Sequence, residues 1–326
     1  MHWQFGIDEA GYGPNLGPLV QACVGFLLPE DDPSGWKTFA KIARRVGEPA
    51  DDRLVIDDSK KVYSSGGFAA LERTVMSRTP LIFFQPTSLH RETHGGYAAD
   101  CEDSIDDEAW YRGDENLPIE IGREECQRLY RELWSTIEPY RECAFTSKVC
   151  ITATPRFNDI VCRHGTKSAV VLDRIKSLMK ACWEQLDYPA AKREPFDEPV
   201  RFLCDKLGGR HFYGPFLQEV FPEGWPVAEV ESPGESRYRI LNLKRDVTVS
   251  FMPRADAASL PVALASMVAK YLREVCMKQF NTFWQSHCPG LAPTAGYPVD
   301  ARRFYAEIGP AMRKLGLHPD KVWRKK

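Results

Sequence analysis

The residues best suited to chemistry lie near the N-terminus. There Gly6-Ile7-Asp8-Glu9-Ala10-Gly11-Tyr12-Gly13-Pro14 sets two adjacent carboxylates between a short apolar run and a glycine-rich turn. Charge at the end of a buried strand, beside a backbone bare enough to meet a ligand closely, is rarely kept without a cation or a reaction to use it. Two more acids have similar placement. Asp205 follows the apolar run Val200-Arg201-Phe202-Leu203-Cys204, with Gly208 and Gly209 just beyond, and Asp256 stands shortly before a helical pattern. Such positions gather at one edge of an α/β sheet, where sites are commonly built.

Four carboxylates drawn together repel one another and raise one another's pKa values. Hard divalent cations relieve that repulsion, and Mg²⁺ favours oxygen ligands. Two such ions about 3.5–4 Å apart can stabilise both the entering and the leaving oxygen of a phosphodiester. Taken singly, each acid also has an ordinary reading, Asp256 as a helix cap and Asp205 as a turn residue. Geometry adds a condition: neighbouring strand residues point to opposite faces. Asp8 and Glu9 are therefore expected to share a site only if the strand ends or bulges there, which Gly11 and Gly13 would permit.

The elements that must position these acids follow from hydrophobic periodicity. Residues 3–9 and 19–28 read as strands joined by the turn Pro14-Asn15-Leu16-Gly17-Pro18, a hairpin. Phe68 to Met76 predicts a short helix and Leu81-Ile82-Phe83-Phe84 a strand. Residues 90–120 are crowded with Asp100, Glu102, Asp103, Asp106, Asp107, Glu108, Asp114 and Glu115, and predict a surface insertion. Helical spacing returns over 123–139 and 166–186, and a strand over 200–204. One or two strands are predicted within Arg237 to Phe251, a helix from about Pro261 to Phe280, and a basic helical tail ending at Lys326.

The 326-residue chain has 43% hydrophobic residues and a formal net charge of -2, enough for a sizeable core and without the field of a polycation. Nucleic acid is neither favoured nor excluded by that balance. Neither a membrane-spanning segment nor a signal peptide is apparent, so a cytoplasmic location is expected. The 10 cysteines form no CxxC pair, and His164 and His211 lack zinc-finger spacing. Reduced, mostly buried thiols are expected.

Five blocks in order resemble type II ribonuclease H, that is, ribonuclease HII and its archaeal and eukaryotic relatives. They are the opening stretch through Gly17-Pro18-Leu19-Val20; Asp58-Ser59-Lys60-Lys61-Val62; Leu203-Cys204-Asp205; Arg254-Ala255-Asp256 through Lys270 with Arg273; and Gly296-Tyr297-Pro298 followed by Arg302 and Arg303. The resemblance implies an α/β, ribonuclease H-like fold: a central mixed β-sheet flanked by helices, with a helical C-terminal region and an inserted segment. It divides the chain into a catalytic domain over 1–285, with an acidic insertion around 90–150, and a basic helical extension over 286–326 packed on the same domain.

By the same resemblance the activity is metal-dependent cleavage of RNA in RNA–DNA hybrids, or at ribonucleotides embedded in duplex DNA, leaving a 5′-phosphate and a 3′-hydroxyl. Asp8, Glu9, Asp205 and Asp256 would be both the catalytic residues and the ligands of two Mg²⁺ or Mn²⁺ ions. The backbone of Gly11, Tyr12 and Gly13 would approach the sugar, whose 2′-hydroxyl distinguishes RNA from DNA. Ser59, Lys60, Lys61 and Lys270 would contact substrate, the lysines through phosphate, and Tyr297 would stack near the ribonucleotide. No membrane partner and a monomeric chain are expected. Tyr12 departs from the family's Arg or Lys, which removes a cation that would meet nucleic acid. A catalytically impaired nucleic-acid-binding relative and a DNA-cutting nuclease on the same fold are the alternatives.

Overall fold

The computed structural model describes residues 1–77, 105, 108–112, 117–137, 145–186 and 197–325. In chain order the elements are β1 (His2–Ala10), β2 (Leu19–Leu28), β3 (Ala43–Arg44), β4 (Leu54–Val55), α1 (Ser59–Ser77), α2 (Arg123–Ile137), β5 (Phe145–Thr152), α3 (Thr154–His164), α4 (Lys167–Gln185), β6 (Val200–Asp205), α5 (Gly214–Val220), β7 (Trp225–Glu231), β8 (Ser236–Leu241), β9 (Val247–Met252), α6 (Ala255–Ala258), α7 (Leu260–His287) and α8 (Pro298–Lys314). Single 3-10 turns occupy Ala109–Tyr111 and Pro319–Lys321.

Seven strands form one mixed sheet in the order β5-β2-β1-β6-β9-β8-β7. β1 runs antiparallel to β2 and parallel to β6, and β6 runs parallel to β9. The predicted hairpin and the mixed sheet flanked by helices are both present. The two faces follow the period of two along each strand. Phe5 and Ile7 of β1 with Leu19 and Cys23 of β2 pack toward α3, α4 and α5. Val20, Ala22, Val24 and Phe26 of β2 pack on the opposite face, toward α1, α7 and α8.

α7 is the central helix of that second face. Its first half, Leu260 to Ala269, is buried throughout and rich in alanine, which lets it lie close to β1 and β2. Contact is tightest at Gly6, where an added Cβ would stand 2.2 Å from the Val262 nitrogen and 2.4 Å from the Pro261 carbonyl carbon. Helix backbone and strand backbone touch there because one residue has no side chain.

Several expectations are corrected. α1 starts at Ser59, nine residues before the predicted helix, and is broken at Gly67, whose φ is 65°. Ser64-Ser65-Gly66-Gly67 had hidden its first half. β5 and β7 were not anticipated: they are the two edge strands, and Thr146-Ser147-Lys148 and the exposed face of β7 lack a buried-strand pattern. α3 and α5 were also missed. The acidic stretch is not simply surface, since Ile105, Trp110, Tyr111 and Leu117 are in the core and Glu108 is buried. The Trp110 ring lies 5.7 Å from Phe280 and 5.9 Å from Trp284 of α7. Leu81–Phe84 and the other acids of that stretch lie outside the described residues. The C-terminal helix ends at Lys314, and the residues after the last 3-10 turn are non-helical, with Val322 and Arg324 buried. Cys150 is disulfide-bonded, unlike the seven free cysteines among the described residues. No helix among the described residues is long and apolar enough to cross a membrane.

Gly6→Ala is expected to destabilise the protein by about 3 kcal/mol, because its methyl group meets backbone that cannot rotate away. Chemical denaturation checks this; a variant as stable as the parent would show that α7 does not rest on β1 as described.

Candidate active site

The carboxyl ends of β1 and β6 lie side by side, and the last parallel pair between them is Ile7–Cys204. Asp8 and Glu9 come next on β1, and Asp205 is the last residue of β6. β1 does not end or bulge at the two acids, contrary to expectation: Asp8, Glu9 and Ala10 stay in regular register with Ala22, Gln21 and Val20 of β2. The charge of Asp205 still reaches both carboxylates. Both lie one and two residues beyond the last β1–β6 pair, where β1 is no longer flanked by β6.

α6 delivers Asp256. β9 ends at Met252, Arg254 adopts the left-handed conformation (φ 57°), and the chain turns into the short helix. The Ala255 amide donates to Asp205 Oδ1 at 3.3 Å, which ties the turn to the end of β6. α7 adds Ser266, whose hydroxyl lies 3.0 Å from Ser59 Oγ at the start of α1 and favours the charged form of Asp8.

A fifth acid, Asp58, belongs to this group and was not assigned a site role from the sequence, although it heads the Asp58-Ser59-Lys60-Lys61 block. Its Oδ1 caps α1 by accepting from the amides of Lys60 (2.7 Å) and Lys61 (3.3 Å). The Asp58 carboxyl group also acts on Asp256.

Asp8, Glu9 and Asp256 are pushed toward neutrality. Burial raises Asp8 well above the carboxylate range, Glu9 and Asp205 add to the rise, and the Ser266 hydroxyl opposes it. Burial, then the charge of Asp205, lifts Glu9 to about 7 against the pull of Lys60. Asp256 is raised by burial first, with Asp58 and Asp205 contributing. Such a field suits a hard cation, and the donors are carboxylate oxygens with one serine hydroxyl, the ligand chemistry of Mg²⁺ or Mn²⁺. Among the described residues, no group of three or more His, Cys, Asp or Glu side chains is arranged to hold a metal ion as it stands.

The remaining predicted residues divide. Lys60 is exposed and its charge reaches Glu9. Lys61 is paired with Asp57 at 3.1 Å. Lys270 is held by Glu274 at 2.6 Å and lies 4.7 Å from the centre of the Tyr63 ring, so it is committed to its own helix rather than to the acids. Ser59 is buried against Ser266. Tyr12 and Tyr297 are 42% and 51% exposed, and Gly13 faces the Tyr297 ring. The amides of Asn15 and Leu16 donate to the Gly296 carbonyl at 2.8 and 3.3 Å, which fastens the glycine-rich loop to the segment carrying Tyr297.

No family model and no curated protein matches the sequence. Solved structures are similar at low identity. The RNase HII in a complex with PCNA from Archaeoglobus fulgidus is 14% identical with a TM-score of 0.41, covering 99% of this chain and 94% of that one. The ribonuclease H2 of Pyrococcus horikoshii OT3 is 15% identical with a TM-score of 0.42, covering 98% and 92%. Bst-RNase HIII, in complex with Mn²⁺, is 14% identical with a TM-score of 0.41, covering 99% and 66%. These likenesses are distant.

A carboxyl group with a raised folded-state pKa binds more protons than in the unfolded chain, so stability falls as pH rises. For Glu9 the window runs from its ordinary 4.5 to about 7. Its share is roughly 3 kcal/mol. Metal-free wild type should lose more stability than Glu9→Gln between these values, and saturating Mg²⁺ should reduce the loss. Denaturation curves across that range check it; parallel profiles for the two proteins would contradict the described burial of Glu9.

Proposed function

We propose that the chain is a divalent-metal-dependent endonuclease that cuts the RNA strand of RNA–DNA hybrids, or ribonucleotides within duplex DNA, leaving a 5′-phosphate and a 3′-hydroxyl. The observation that carries this reading is the placement of Asp8 and Glu9 just beyond the last β1–β6 pair, of Asp205 at the end of β6, and of Asp256 in the short helix whose Ala255 amide is tied to Asp205, with the charge of Asp205 reaching the other three. The five sequence blocks support it, because four of them contribute an acid to this one region.

Asp8, Glu9, Asp205 and Asp256 would hold the ions, which when bound supply positive charge against the phosphate undergoing displacement. Asp58 would act through Asp256, keeping its carboxyl group in place. Ser266 would do the same for Asp8. Lys60 would meet a phosphate beside Glu9. The loop from Gly11 to Gly13 would lie against the sugar, with a backbone thin enough to sense a 2′-hydroxyl. Tyr12 and Tyr297 would offer ring faces to the nucleotides on either side of the cut, since stacking on an exposed aromatic is tolerant of base identity.

Purified protein with Mg²⁺ or Mn²⁺ is expected to cut a labelled RNA–DNA hybrid and to leave an all-DNA duplex intact. Asp205→Asn should lower kcat by about 10²–10³-fold while the fold is retained. Asp58→Asn, one step removed from the reacting atoms, should cost about 10–100-fold in activity or metal affinity. Uncut hybrid under these conditions defeats the proposal, and cutting of all-DNA duplex moves it to a DNA nuclease.

A further inference from the structure

The end of the chain returns to the glycine-rich loop. Arg324 is fully buried, and its Nη1 donates to the Gly11 carbonyl at 2.7 Å and reaches the Gly17 carbonyl at 3.5 Å. Its own amide donates to the Asn15 carbonyl at 2.9 Å, and its guanidinium lies 4.0 Å from the centre of the Phe157 ring. Asn158 of α3 clamps the tail. Its Nδ2 donates to the carbonyls of Asp320 and Trp323, each at 2.9 Å, and its Oδ1 accepts from the Lys325 amide at 2.7 Å.

A second buried guanidinium, that of Arg273 on α7, abuts the same loop: a Cβ on Gly11 would stand 2.5 Å from its Nε. Glu274 faces Arg273 at 3.8 Å. Among the described residues no carboxylate pairs with Arg324, and its Nε and Nη2 have no hydrogen-bond partner. Burial lowers its pKa to about 9, and the like charge of Arg273 pushes the same way. An arginine at that value is still a cation at neutral pH. Desolvating a guanidinium this fully is costly, and the loop above it, Gly11-Tyr12-Gly13-Pro14-Asn15-Leu16-Gly17-Pro18, carries no charge of its own.

The peptide unit gives the contact a direction. C=O and N–H lie on opposite edges of a planar trans peptide. With the Gly11 carbonyl turned in to Arg324, the Tyr12 N–H of that peptide is turned away from it. We infer that Arg324 is a positioning residue for substrate: it fixes the Gly11–Tyr12 peptide with its N–H outward, and it supplies from beneath the positive charge that this uncharged loop brings to a nucleic-acid backbone. The inference rests on reading the loop as a substrate contact. A charge in a poorly solvated setting acts over a longer distance than one in water, so Arg324 need not touch the phosphate it favours.

The test uses the full chain and two variants, Arg324→Gln and Arg324→Lys. Gln keeps a donor and removes the charge; Lys keeps both. Hydrogen exchange over residues 11–17 reads loop order without reference to activity. In Arg324→Gln it is expected to quicken by about tenfold, while β1 and β6 keep their protection. On hybrid substrate, KM should rise by about tenfold with kcat within about threefold of wild type. Arg324→Lys should stay within about threefold in exchange and in KM. Wild-type exchange in the Gln variant overturns the inference, as does a fall in kcat with KM unchanged. Should the Gln variant not fold, a folded Lys variant whose loop exchanges tenfold faster, or about as fast as that of unfolded chain, overturns it equally. If wild-type protein leaves hybrid uncut, the nuclease reading fails, and the exchange comparison still decides whether Arg324 orders the loop.

Discussion

The site depends on one backbone contact, that of α7 against β1 at Gly6. An α-helix ordinarily stands about 10 Å from a sheet on a layer of side chains, and here the layer is missing at one point. Because the first turn of α7 rests on β1, Ser266 is one turn further along the helix and within reach of Asp8, two residues further along the strand. α6 immediately precedes that turn, so the same contact brings Asp256 to the end of β6. The contact is therefore a distance gauge as well as a packing detail. It fixes how far the acids on the sheet are from the acids and hydroxyls on the helices.

What that packing holds together is a set of groups that would separate if free. Asp8, Glu9 and Asp256 are each driven toward the neutral form, first by burial and then by one another. Such strain at a site is offset by stability elsewhere. Here the offset comes from two apolar layers, one on each face of the sheet. Beneath the glycine-rich loop the same device appears with the opposite sign. Arg324 and Arg273 are buried cations under a loop of glycines and prolines, Arg324 held by Phe157 and the loop carbonyls and Arg273 by the Ala295 carbonyl. Carboxylates without enough counter-charge stand at one end of the region, and guanidinium groups without enough counter-charge at the other.

Much of this was legible in the sequence because the signals were local. β1, β2, β6 and α7 are strongly apolar and bounded by glycine or proline, so their pattern and their ends could be read directly. Asp8, Glu9, Asp205 and Asp256 could be picked out because each stands where an apolar run stops. Other features depend on partners distant in the chain. Nothing in Val322-Trp323-Arg324-Lys325 distinguishes a buried arginine from a solvated basic tail; only the meeting with Gly11 and Asn158 does. Asp58 heads a lysine-rich block with no helical pattern legible around it, and its approach to Asp256 exists only once α1 and α6 are packed. The edge strands β5 and β7 were invisible for a simpler reason: a strand with one side open to water need not be apolar.

The distribution of lysines shows how charge at the site is balanced. Lys61 and Lys270 look from the sequence like phosphate ligands, yet each is paired with a carboxylate of its own helix or the turn before it, Asp57 and Glu274. Lys60 is the lysine whose charge reaches Glu9. Five carboxyl groups facing one such lysine leave the region acidic whenever they ionise, and a phosphodiester approaching it unaided would be repelled. Divalent cations would then serve binding before they serve chemistry, by reversing the sign of the field the phosphate meets. On this view the acids and the buried arginines divide the work. The acids would make entry conditional on metal, and the arginines beneath the loop would favour the backbone at the adjoining nucleotide whether metal is bound or not.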